Sequence, residues 1–234
     1  LIFAFFTVRK PDAYLRYRSG FKPALLLIAL AFVVFFLPVI DITSHFNRQL
    51  SLPAPFKGID RWIHDTETKN ETVIMTVMQM KTTADLMITL LLVAVLPAIA
   101  EEFFFRGCMQ SIFQRWTKNT HAAVWITAFL FSFLHFEFLG FVPRLLLGAA
   151  LGYFFAWSGS IWPSVFAHFL NNAWAVLGLY MYQHHKIKGD PDSTELMFNH
   201  LWIYGIFIII CVLILTYYRQ YAASKQLTYG KELD

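Results

Sequence analysis

Long apolar runs separated by more polar stretches dominate the chain. Crossing a bilayer takes about 20 consecutive apolar residues in helical form. Runs that meet or approach this length occur at 23–40, 84–106, 121–139, 144–158, 161–182 and 200–218. The fourth is short and bounded by Pro143 and Gly159, which predicts a tilted or partly inserted helix. The second is expected to continue as helix to about Trp116, with Pro97 as its only breaker. A proline is tolerated inside a membrane helix where neighbours satisfy the carbonyl it frees. The opening residues LIFAFFTV run straight into Arg9 and Lys10 and read as the tail of a partial N-terminal span, without a signal-peptide pattern.

Composition narrows the class. Of 234 residues, 57% are hydrophobic and 18% aromatic, and only 15% are charged, against about 25% in a soluble domain. The pattern and composition together predict an all-α, polytopic membrane helical bundle with about six complete spans plus the partial N-terminal one. It reads as a single transmembrane domain over 1–234, with a catalytic core at about 84–182. The formal charge of +4 is too small to argue for nucleic acid, and the lipid bilayer is the expected partner. Cys108 and Cys211 sit in apolar surroundings and imply no disulfide framework.

Orientation follows from lysine and arginine in the loops. Arg9, Lys10, Arg16, Arg18 and Lys22 mark the 9–22 loop as cytoplasmic. Threading the spans from there puts Arg115, Lys118, Arg219, Lys225 and Lys231 inside. The 41–83 loop and the acidic 183–199 loop fall outside. Met75, Met78 and Met80, beside Ile74 and Val77, suggest an interfacial segment in the first of these. Gly148, Gly152 and Ala156 recur every fourth residue and read as a helix-packing stripe.

Ionisable residues within spans cost roughly 2.5–3.5 kcal/mol each on insertion scales, which marks them as candidates for function. They are few: Glu101, Glu102 and Arg106 on one span, His135 on the next, and His168 with Asn171 and Asn172 on another. Glu102 and Arg106 are four apart with the acid first, the better order for an ion pair. Glu101 is turned about 100° away from Glu102 and has no helical partner. The spacing therefore separates a structural pair from a carboxylate free to act as a base. His168 and Asn172 share a face with Ser164 one turn earlier, and His135 shares one with Phe131. Measured from helix ends near Arg115, His121 and Ile161, Glu101 and His135 each lie about 21 Å deep and Asn172 about 17 Å. Duller roles compete: His135 bonding a helix carbonyl, Asn171 and Asn172 gluing helices, and Cys108 as a small apolar filler.

Three motifs then stand in order on apolar spans: EExxxR through Glu101, Glu102 and Arg106, FxxxH through Phe131 and His135, and HxxxN through His168 and Asn172. In this the chain resembles the CPBP family, which includes the type II CAAX prenyl endopeptidases and bacteriocin-processing and immunity proteins. The likeness covers roughly 84–180. It implies an intramembrane endopeptidase acting on a membrane-associated peptide or protein, either a prenylated CAAX-type substrate or a leader peptide. It further implies a site opening toward the cytoplasm. By the resemblance Glu101 is the general base, His135 helps hold and polarise water, and His168 and Asn172 stabilise the oxyanion. Glu102 and Arg106 support the site. No cofactor is expected. The alternative is zinc held by Glu101, His135 and His168, although no HExxH motif occurs. A function of another class, a proton-relay transporter or a non-proteolytic membrane scaffold, ranks below proteolysis. A transporter is expected to carry broken helices in two repeated halves, and only one interrupted helix is evident.

Overall fold

A computed structural model describes residues 15–51, 53–187 and 198–223. The N-terminal partial span, Arg9, Lys10, most of the acidic loop, Lys225 and Lys231 lie outside these residues. In chain order the helices are α1 (Ala24–Arg48), α2 (Lys57–Val77), α3 (Thr83–Thr117), α4 (Thr120–Phe133), α5 (Phe141–Ser158), α6 (Trp162–Gln183) and α7 (Leu201–Ala223). Among the described residues there is no strand. Each of the six expected apolar runs falls on one of these helices.

Helices α1, α3 and α7, together with α5 and its leading turn Phe138–Gly140, are long and apolar enough to cross a membrane. α4 is apolar but shorter, and α6 has the length but carries Ser164, His168, Asn171 and Asn172. Leu27, Ile88, Leu91, Leu92, Ile209 and Leu213 are exposed on the outer surface of the bundle. A contiguous apolar exterior of this kind is stable against lipid and not against water. Inside, Phe32, Phe36, Phe154 and Tyr218 interlock between α1, α5 and α7, with Phe154 and Tyr218 ring centres 4.6 Å apart.

Local chemistry sets the boundaries that matter for the site. Thr82 and Asp85 form a reciprocal capping box at the start of α3. Asn119 Oδ1 accepts from the backbone N–H groups of His121 (2.9 Å) and Ala122 (3.2 Å), which starts α4. Lys118 (φ 52°) and Gly159 (φ 69°) turn left-handed and end α3 and α5. α3 is continuous but not uniform: Leu90–Val95 and Phe103–Gln110 are wound as π-helix, on either side of Leu96–Glu102, which contains Pro97. Such wide turns absorb the break that the proline makes, and they recur at functional sites.

α4 ends earlier than expected. The 121–139 run predicts a helix through His135, whereas α4 stops at Phe133 and Phe136 takes a left-handed φ of 54°. The reason is a competition for one carbonyl. His135 Nδ1 lies 2.5 Å from the carbonyl of Phe131, the group its own backbone N–H would take in a continuing helix. That N–H turns instead toward Ser132, at 3.4 Å.

Candidate active site

The fully buried pair Glu102–Arg106 anchors the site. Arg106 Nη1 is 2.9 Å from Glu102 Oε1, and neither side chain is exposed. A buried pair repays its desolvation only when the remaining polar atoms are also satisfied. Here Arg106 Nη2 donates to the Gly148 carbonyl (3.0 Å) and the guanidinium lies over the Phe131 ring at 4.6 Å, whereas its buried Nε has no hydrogen-bond partner among the described residues. One turn on, buried Gln110 donates from Nε2 to the Gly152 carbonyl (3.0 Å). Matching four-residue spacings on α3 and α5 thus make two rungs. The glycines are needed for the approach: a Cβ on Gly148 would lie 3.1 Å from Phe131, and one on Gly152 2.9 Å from Gln110 Oε1.

Glu102 also holds α6. His168 Nδ1 is 2.8 Å from Glu102 Oε1, and the Ser164 hydroxyl donates to Oε2. These contacts orient His168 with Nδ1–H toward Glu102, so its Nε2 faces the other acid, Glu101, at 3.9 Å from Oε2. His135 reaches the same oxygen from the opposite side: its Nδ1 is spent on the Phe131 carbonyl, and its Nε2 stands 3.6 Å from Glu101 Oε2. Phe131 spaces the two imidazoles, with ring centres 4.7 Å from His135 and 5.6 Å from His168. Among the described residues no hydrogen-bond donor reaches Glu101 Oε2, although that atom is buried. The Glu101 side chain as a whole is 31% exposed, whereas Glu102 is sealed.

The expected residues therefore meet, with one turned aside. Glu101, His135 and His168 converge, and Glu102 and Arg106 buttress them from below. Asn172 points elsewhere: its Nδ2 is 3.4 Å from the Val93 carbonyl, and its Oδ1 accepts from Asn171 at 3.3 Å. Val93 is the residue whose carbonyl the N–H missing from Pro97 would have taken in an α-helix. Sequence reasoning did not assign the Ser164 and His168 bonds to Glu102, the carbonyls of the glycine stripe, or Gln110. The shared face of Ser164 and His168, and the placement of Gln110 one turn after Arg106, were the available signals.

Two cavities are lined in part by residues of the helices that carry the cluster. One, of about 430 Å³, is apolar and is lined by Val95, Ile99, Trp162, Val165, Phe166 and Phe169. The other, of about 400 Å³, is mixed in character and includes Glu67, Asn70, Glu137, Arg144 and Asn171 among its lining.

Comparison with known proteins bears on this stretch. A family model described as type II CAAX prenyl endopeptidase Rce1-like matches residues 83–174. The uncharacterized protein YpbD of Bacillus subtilis is 30% identical over 88 residues, which is 36% of this chain and 42% of that protein. No solved structure matches. Glu101, Glu102, Arg106, His135, His168 and Asn172 all lie within the matched residues, so the similarity spans the whole candidate site.

Proposed function

We propose that this protein is an intramembrane endopeptidase in which Glu101 activates water for attack on a peptide bond. The observation that carries the reading is the convergence of two imidazole Nε2 atoms on an otherwise unbonded oxygen of Glu101. Water held there by Glu101 and His135 loses a proton to the carboxylate as its oxygen attacks the peptide carbonyl carbon. Glu101 then returns that proton to the leaving amine nitrogen, which balances the cycle. With Nδ1–H committed to Glu102, His168 donates from Nε2 to the developing oxyanion only as the doubly protonated imidazolium. The second oxyanion donor is Asn172 Nδ2, which leaves the Val93 carbonyl to serve. A donor already aimed at the oxyanion is worth about 10²–10³ in rate, and Asn172 contributes less by whatever its reorientation costs.

The apolar groove lies beside Glu101 and His168 through Ile99, Val165 and Phe169, which suits a substrate anchored by a lipid chain or an apolar segment. The mixed cavity, with Glu137, Arg144 and Asn171 in its lining, suits the polar groups of a peptide. Cleavage assays on prenylated and unmodified versions of one membrane peptide separate these substrate classes. Glu101→Gln is expected to abolish cleavage while the protein stays folded in detergent; undiminished turnover by this variant sinks the base assignment.

Zinc is the second reading, because the lone pairs of His135 Nε2, His168 Nε2 and Glu101 Oε2 are a chemically suitable donor set. Those residues would hold it, and the ion would supply Lewis acidity toward bound water. Tetrahedral bonds to zinc bring ligand atoms within about 3.3 Å of each other, tighter than the 3.6 and 3.9 Å found here. Among the described residues no group of three or more His, Cys, Asp or Glu is drawn together as a metal cage. We place the metal-free reading first. Activity is expected to survive exhaustive chelation, and its loss with recovery on adding zinc would reverse the order.

A further inference from the structure

His135 sits beyond the end of its helix, in a turn that needs holding. The segment 134–140 contains a phenylalanine at left-handed φ, a conformation that costs a non-glycine residue of order 1–2 kcal/mol. Strain of this kind persists only when the surroundings over-determine it. Two buried polar side chains supply that constraint, and both lie outside the residues matched by the family model. Asn47, near the end of α1 and 5% exposed, donates from Nδ2 to the carbonyl of Phe138 at 2.8 Å. Glu67, in the middle of α2 and 8% exposed, accepts from the N–H of Leu139 at 3.0 Å.

These two groups belong to one peptide bond. In a trans peptide the carbonyl and the N–H point in opposite directions, so α1 and α2 grip the 138–139 unit from its two sides. The wider setting agrees. Trp62 of α2 lies against Phe138 with ring centres 5.9 Å apart, Arg144 binds the carbonyl and carboxylate of Glu137, and the Ser132 hydroxyl donates to the Phe141 carbonyl at 2.7 Å. α2 is otherwise poorly anchored: Ile59, Trp62, Val73, Ile74 and Val77 are all exposed. A glutamate carboxylate turned inward from such a helix has a specific use.

We propose that Asn47 and Glu67 are positioning residues that fix His135 Nε2 against Glu101 by clamping the 138–139 peptide; the claim rests on the catalytic reading of that pair. The clamp acts through backbone rather than by touching the reacting atoms. It makes α2 a functional part of the site, although the helix contributes no catalytic group.

The test uses full-length protein in lipid nanodiscs, with ¹⁵N-labelled histidine spectra and cleavage kinetics read side by side. Glu67→Leu and Asn47→Leu each remove one grip. Each is expected to shift the His135 ring resonances, and to lower kcat by about 10–100-fold with KM unchanged, the scale set by small misplacements of reacting groups. Glu67→Gln keeps an oxygen acceptor for Leu139 N–H and is expected to restore both readouts. The clamp is overturned if the leucine variants leave the His135 resonances or kcat at wild-type values, or if Glu67→Gln is as damaged as Glu67→Leu. If the wild-type protein cleaves nothing, the proteolytic reading fails separately, and the resonances alone judge the clamp.

Discussion

Glu102 and Glu101 are adjacent carboxylates with opposite circumstances, and the difference lies in what surrounds each oxygen. Glu102 meets a guanidinium, an imidazole and a hydroxyl and has no contact with solvent. Removing Arg106 would leave that acid charged, buried and short of its main partner, a loss of about 3–5 kcal/mol. Arg106→Met should therefore lower the melting temperature sharply in detergent. The double variant Glu102→Gln/Arg106→Met should recover part of the loss, and additive losses would contradict the pairing. The pair was legible in the sequence because a four-residue spacing within one helix fixes a shared face. His168 was legible as a site residue, but its bond to Glu102 spans 66 positions, and no local spacing encodes a contact between separate helices. Asn172 was legible as a candidate from its shared face with His168 and its depth, and the carbonyl it rests on is exposed by a proline 75 positions earlier in the chain.

At Gly148 and Gly152, α5 meets α4 and α3 with no side chain to interpose. A methyl group at Gly148 would already touch Phe131 and Ala128 at 3.1 and 3.3 Å, so a larger residue must move α5 or tilt the ring that spaces the two histidines. Gly148→Val is expected to destabilise the fold by about 1–3 kcal/mol and to depress cleavage. Gly178→Ala, where nothing lies within 4 Å, serves as a neutral control read in the same melting and turnover assays. At this scale the apolar runs predicted the helices closely, since length and hydropathy are properties of one segment. They misplaced the end of α4, because an FxxxH spacing fits both a continuing helix and a side chain that takes the helix's last free carbonyl. The small-residue stripe was legible as packing. That its carbonyls receive Arg106 and Gln110 depends on the π-wound turn of α3, which no residue pattern announced.

Across the molecule, the basic 15–22 stretch and the α1–α2 connection lie at opposite ends of α1, a helix of 25 residues. In a background lacking Cys108 and Cys211, Ser19→Cys is expected to be shielded from an impermeant thiol reagent in intact cells and Ser51→Cys to be labelled. The reverse pattern would invert the orientation read from the loop charges. A further consequence concerns how the protein comes into being. Arg106 leaves the ribosome 42 residues before Gly148, whose carbonyl it requires. During that interval α3 carries a guanidinium that only a later segment can complete. Its settling into the bilayer is thereby tied to the arrival of α5. A chain stopped after α4 should be extracted by alkali more readily than one that reaches Ser158, and equal resistance would argue against the dependence.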